Sequence, residues 1–425
     1  MRKLPLLFGL LGPGILVAAT GVGAGDLVTA SLAGSRLGLA LLWAAWVGSV
    51  LKWYLNEGIA RWQMATETTL LEGWVEKLGR WVQWLFIAYL AVWSLFVAGA
   101  IMSAIGVATV GLFGLEDHPS ATALGKIFGN VFSLVGIVLV LVGGFRVFEV
   151  VMSACIGVMF IAVVSTSLLL PETDWSGIAR GLIPGQIPEF SGVGLKWLIG
   201  VLGGVGGTVT LLSYGYWIRE RGRRGEAGLR ACRIDLTVGY AMTAIFGIAM
   251  MIVASRIELP NDTKGTRVLV QLAKELESLF TGGRLVFLIG AWGAIFSSLL
   301  GVWQSVPYLF ADFLSLCRGQ KPEERRAIDF DRTKAYRIYL LAIGIVPAPL
   351  IWFYSLADVQ LAYTTLGAAS MPLLALTLLL LNTRKTFVGE RYRNNWATNV
   401  ILVLTLAAFL FFGGYQIWEK LKGSS

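Results

Sequence analysis

Gly21-Val22-Gly23-Ala24-Gly25-Asp26 interrupts the first long apolar stretch of the chain, at residues 9–31. A bare carboxylate at membrane depth costs at least ~2.5–3.5 kcal/mol on insertion scales, so Asp26 needs a reason to be there. Each glycine in a helix interior also gives up roughly 1 kcal/mol of propensity relative to alanine, and here they cluster. An acid beside a broken helix is what a membrane ion or substrate site uses. The plainer alternative is a carboxylate that caps the break through backbone amides.

The rest of the chain supports a membrane setting. Of 425 residues, 56% are apolar and 14% charged, with mean hydropathy +0.71. An ordinary soluble enzyme carries about a quarter charged residues. Apolar windows of about 20 residues recur from end to end. They predict an all-α polytopic protein of the cell membrane with about eleven spans, near 9–31, 39–60, 83–111, 126–143, 149–170, 192–218, 235–255, 284–313, 335–354, 358–381 and 397–417. Residues 1–425 read as a single transmembrane domain with no soluble part. Arg2 and Lys3 precede a run that reads as a retained first span rather than a cleaved signal. With the N-terminus cytoplasmic, Lys and Arg split roughly 23 inside to roughly 11 outside, as the positive-inside rule requires. The basic loops 219–233 and 318–337 supply much of that bias, so nucleic acid is not needed to explain them. Cys155, Cys232 and Cys317 form no spaced framework, and His118 is alone in a polar loop. Neither a disulfide scaffold nor a zinc site is indicated, and no cofactor is expected.

The spans form two groups of about five plus one extra: repeat one at 9–170, repeat two at 192–381, and a last helix at 397–417. The first span of the second group is also interrupted, by Gly203-Gly204-Val205-Gly206-Gly207-Thr208-Val209-Thr210. Paired glycine-rich breaks in corresponding positions point to a transporter of inverted repeats, with freed backbone groups facing a substrate. Tight helix packing is the other use of such glycines. Between spans, Thr266 to Leu276 has apolar residues at helical spacing and predicts a short amphipathic helix on the outer face.

Several stretches resemble one family. Gly12-Pro13-Gly14 leading into the first break is similar to the start of Nramp metal transporters, and Ala33-Gly34-Ser35 after it is similar to their small-residue stretch. Gly144-Phe145-Arg146-Val147-Phe148-Glu149 resembles their turn into segment 5. Asn382-Thr383-Arg384-Lys385-Thr386, Gly389-Glu390 and Asn395-Trp396 resemble the loop after segment 10. The resemblance implies the leucine-transporter fold, with segments 1 and 6 unwound at the membrane midplane.

The site positions depart from that family. Typical members carry Asp-Pro-Gly-Asn in segment 1; here the four positions read Gly23-Ala24-Gly25-Asp26. The family's metal-binding Asp position is Gly23, and its Asn position is Asp26. In segment 6 Gly207 takes the small position, Thr210 takes the metal-binding Met, and Leu211-Leu212-Ser213 replace Pro-His-Asn. The segment 10 Gln position aligns with Thr365. A branch of the family without the Met is associated with magnesium, but it keeps the segment 1 Asp that this chain lacks.

Carboxylate, hydroxyl and carbonyl oxygens suit Mg²⁺, Ca²⁺ or Mn²⁺, whereas a thioether suits softer ions. The expected site is therefore Asp26, Gly23, Gly207, Thr210 and Thr365, with one charge and a cation that keeps several waters. Proton relays need chains of Asp, Glu or His, and segment 3 has none, so proton coupling is doubtful. Glu57, Gln304 and Asp312 are the residues placed on a path or in coupling. Glu57 also has a sufficient structural account in an ion pair with Arg61 four residues on. Asp312 reads as an interfacial acid, and Gln304 either glues helices or lines a path. Lys52 reads as a snorkelling side chain, or as a counter-charge to an internal acid. The function expected is a secondary transporter of a hard divalent cation such as Mg²⁺ or Mn²⁺, with lipid as its surroundings. The alternatives are a carrier of a small organic solute or amine on the same fold, and a non-transporting sensor. No nucleophile–base pair or phosphate loop suggests an enzyme.

Overall fold

The computed structural model describes residues 12–79, 81–170, 174–185, 193–204, 207–257, 267–279, 281–320, 324–325, 328–354, 359–360, 362–363, 366–367 and 369–423. Among these there is no β-strand. In a bilayer every backbone amide and carbonyl must be paired internally, and the chain does so with helices.

The first span is two helices, α1 (Pro13–Gly21) and α2 (Ala24–Leu37), bent by 57° at the glycine-rich break. α3 (Leu42–Thr66), the short α4 (Leu70–Leu78) and α5 (Trp81–Leu112) follow. α6 (Ala121–Leu169) is 49 residues long, far more than one crossing needs. Gly144, at φ 61° and ψ −179°, breaks it into the two spans expected there. α7 (Trp175–Gly181) is a surface turn, and α8 (Val193–Gly204) and α9 (Ser213–Glu220) lie where the second interrupted span is expected. α10 (Gly225–Ser255), α11 (Arg267–Leu279) and α12 (Gly283–Cys317) complete the centre. The chain closes with α13 (Lys334–Ile345), α14 (Pro347–Phe353), α15 (Ser370–Asn382), α16 (Lys385–Tyr392) and α17 (Trp396–Gly423). Six helical stretches are long and apolar enough to cross a membrane by themselves, and eight if each bent pair counts as one. The other expected spans fall on the kinked α6, on α3 with its buried Lys52, Glu57 and Arg61, and on the α8–α9 pair.

α12 is the axis of the bundle. Of its most apolar stretch 78% is buried, against 24–56% for the other five. The helix expected at 266–276 is α11. Its apolar face, Val268, Leu269, Leu272 and Leu276, is wholly buried. Lys274 reaches Asp117 at 3.2 Å and Glu116 at 3.6 Å, tying α11 to the α5–α6 loop.

Candidate functional site

The first break is built by backbone that has run out of helix. α1 ends with free carbonyls, which must be satisfied from outside the helix. α12 supplies the donors. Ser297 donates to the carbonyl of Ala19 at 3.0 Å, and Ser298 donates to that of Thr20 at 2.7 Å. The approach leaves no room for a side chain at Gly23, where a Cβ would collide with the Ser298 side chain. Gly23 is extended, at φ −122° and ψ −160°, and its carbonyl already accepts the first bond of α2, from Leu27 at 3.0 Å. Gly23 is thus a packing position whose carbonyl has one helical partner.

Asp26 lies in the first turn of α2 and is 5% exposed. The positive end of a helix favours an anion there. A Cβ at Gly25 would stand 3.3 Å from the Tyr363 ring and 3.4 Å from the Gln360 amide nitrogen, so segment 10 forms the opposite wall.

The second break faces the first. Gly207 adopts φ +91°, a left-handed conformation that suits glycine. A Cβ there would lie 2.8 Å from the Thr210 hydroxyl and 3.4 Å from the Cα of Gly21. Gly207 is therefore brought against the end of α1, with Thr210 in the turn beside it. Thr210 is buried in the 3₁₀ turn Val209–Leu212. Thr208, beside it, packs against Gly367. Thr365 lies outside the described residues.

Lys52 does not snorkel. It is 1% exposed, and its ammonium donates to the carbonyl of Gly203, the end of α8, at 2.8 Å. The carbonyl end of a helix attracts a cation. The partner of Lys52, Gly203, is 151 residues away, which a one-dimensional pattern does not reveal. Ser297, Ser298, Gln360 and Tyr363 were likewise not picked out. Their only signal was polar character inside apolar spans.

The residues placed on a path are elsewhere and well bonded. Glu57 takes Arg61 at 2.7 Å, as its spacing predicts, and also Arg233 at 2.8 Å. Gln304 accepts from the Trp217 indole at 2.8 Å, while its backbone carbonyl accepts from the Tyr336 hydroxyl at 3.1 Å. Asp312 is fully buried. Arg325 folds back over it from the 318–333 loop and also pairs with Glu72 at 2.7 Å. Tyr216 donates to Asp312 at 2.8 Å. Burial, with the nearby Asp312 charge, pushes the Glu72 carboxyl up to about 7 against the pull of Arg325 and Arg219. A further acid missed in the sequence, Asp235 on α10, accepts from the amides of Gly12 at 3.0 Å and Gly14 at 2.7 Å. Arg223 pairs with it at 2.8 Å.

Among the described residues no three His, Cys, Asp or Glu side chains converge as a metal cage. The site offers one carboxylate, hydroxyl and amide oxygens, and one ammonium.

Comparison with known proteins places this arrangement. A family model described as natural resistance-associated macrophage protein-like, Nramp, matches residues 14–419. A divalent metal cation transporter, MntH of Verminephrobacter eiseniae (strain EF01-2), is 24% identical over 262 residues, covering 60% of this chain and 57% of that relative. The match thus spans less than two thirds of that relative's length. Among solved structures, a mutant of the Eremococcus coleocola manganese transporter superposes with a TM-score of 0.71 at 17% identity, covering 97% of this chain and 86% of the other. MhsT in complex with L-phenylalanine superposes with a TM-score of 0.59 at 18% identity, covering 94% and 97%. At these identities the likeness is one of fold.

Proposed function

This chain belongs to the Nramp family, and on that premise we propose that it is a multi-pass secondary transporter of a divalent metal cation of the hard class, such as Mg²⁺ or Mn²⁺. The observation that carries the reading is the meeting of the two breaks at Gly21 and Gly207, with the Asp26 carboxylate in the turn that follows. Backbone carbonyls, the Thr210 hydroxyl and one carboxylate are hard oxygen donors. With one formal negative charge, the cation keeps part of its water shell, as Mg²⁺ readily does. The reading includes no carboxylate relay on α5, because its 32 residues carry no Asp, Glu or His. It places the N-terminus, α4 and the basic loops on the cytoplasmic side, following their positive charge.

The test is uptake of Mn²⁺ and Mg²⁺ into vesicles reconstituted with the purified protein. The parent shows saturable uptake of at least one of the two ions. Asp26→Asn falls to the level of protein-free vesicles. Equal uptake by the parent and Asp26→Asn sinks the site assignment.

The Lys52 ammonium favours a second reading. A buried acid just after the first break and a buried ammonium held on the end of α8, just before the second, suit a zwitterionic solute, whose amine meets Asp26 and whose carboxylate meets Lys52. Thermal-shift screening separates the two. Stabilisation by amino acids and by no divalent ion selects the zwitterion.

A further inference from the structure

The joint between α1 and α12 holds more oxygen than its hydrogen bonds use. In a continuing helix the Gly23 amide would serve the Ala19 carbonyl, but it bonds the Gly21 carbonyl instead, at 3.1 Å. The Ala19 carbonyl is left to Ser297 at 3.0 Å, and the Thr20 carbonyl takes Ser298 at 2.7 Å. Ser297 has one proton and two acceptors within reach, since the Ala294 carbonyl of its own helix lies at 2.9 Å. When the proton goes to Ala294, the Ser297 lone pairs and the Ala19 carbonyl face each other with nothing positive between them. The Thr20 hydroxyl is buried and has no hydrogen-bond partner among the described residues. It stands against α12 at Gly301, where a Cβ would collide with it, one turn from Ser297 on the same face. A buried hydroxyl normally has a partner, so this one calls for a ligand. The negative end of the α1 dipole points at the same place.

We propose that this joint is a binding site for a monovalent cation, Na⁺, separate from Asp26. Its ligands are the carbonyls of Ala19 and Thr20 and the hydroxyls of Thr20, Ser297 and Ser298. Freed carbonyls at the end of a half-helix coordinate such ions in transporters with broken spans. Every donor is neutral. Divalent ions are held with the help of carboxylates, so this set suits a single charge. Oxygens 2.7 and 3.0 Å apart close around a small ion, which favours Na⁺ over K⁺. Ser297 and Ser298 keep α1 and α12 together when the site is empty; with the ion present, the Ser297 proton turns to Ala294 and its lone pair turns to the ion. The inference goes beyond the divalent-cation reading and does not rest on it.

The experiment measures binding of radiolabelled Na⁺ to the full-length protein in lipid nanodiscs, with choline chloride holding the ionic strength. The parent binds Na⁺ saturably, and unlabelled Na⁺ displaces the label while the same concentration of K⁺ does not. Ser297→Ala/Ser298→Ala loses two ligand oxygens and binds at least about tenfold more weakly. Thr20→Val covers the case in which the double variant does not fold. It removes a hydroxyl that no described residue bonds, so a purely structural joint does not need it, whereas Na⁺ affinity falls severalfold. No saturable binding by the parent, equal displacement by K⁺, or parent-like binding by the folded variants overturns the proposal. The measurement contains no divalent ion, so its failure and the failure of the divalent reading are told apart.

Discussion

Ser298 donates its hydroxyl to the carbonyl of Thr20 at 2.7 Å, bolting α12 to the last turn of α1 where that helix stops. Ser297 does the same for Ala19 at 3.0 Å. These bonds hold the break open and satisfied. Removing both hydroxyls strands two carbonyls in the core. Ser297→Ala/Ser298→Ala is expected to lose about 1 kcal/mol per bond, read as a lower melting temperature in detergent. An unchanged melting temperature contradicts the account of the break.

Gly23 is small because Ser298 stands over it. Gly23→Ala is expected to cost about 1–3 kcal/mol by overpacking. Ser298→Gly in the same chain removes both colliding atoms. The loss in the pair should be smaller than the sum of the two single losses, a non-additivity that a purely conformational cost at Gly23 does not produce.

How much of this was legible in sequence depended on distance along the chain. Asp26 and the first break announced themselves, because an acid and clustered glycines are anomalous inside an apolar span. The second break showed through Gly207 and Thr210 for the same reason. Lys52 was ambiguous, since a lysine in a helix snorkels or pairs according to what lies across from it, and Gly203 is contributed by another span. The cover over Asp312 was not legible, because nothing in the basic 318–337 stretch says that Arg325 pairs with it. Ser297 and Ser298 were silent, since a serine hydroxyl hides in a helix by bonding its own backbone. Ser49 does so, donating to the Ala45 carbonyl at 2.9 Å.

Asp235 fastens the start of α1 to α10 through two amides and Arg223. Breaking a buried pair by removing one partner typically costs about 3–5 kcal/mol. Asp235→Ala is expected to fall in that range and to free the start of α1. A cysteine placed at Gly12 of that variant should react faster with a water-soluble maleimide than in the Asp235-containing control. Identical labelling rates contradict the fastening role.

Glu72 introduces a pH dependence at the same end of the molecule. Its carboxyl is held up to about 7, mainly by burial and then by Asp312, against an ordinary value of 4.5. The folded protein therefore binds this proton more tightly than the unfolded chain. The contribution is fully present below pH 4.5 and is lost as pH rises through about 7. Glu72→Gln should flatten the fall in melting temperature across that window. The same slope in variant and parent contradicts it.

The central claim is that the cation seats at Asp26, between the two broken helices. Anomalous diffraction from crystals of the full chain grown with Mn²⁺ tests it most directly. The account predicts one strong peak at coordination distance from an Asp26 carboxylate oxygen. Strong peaks elsewhere with none at Asp26 would contradict it.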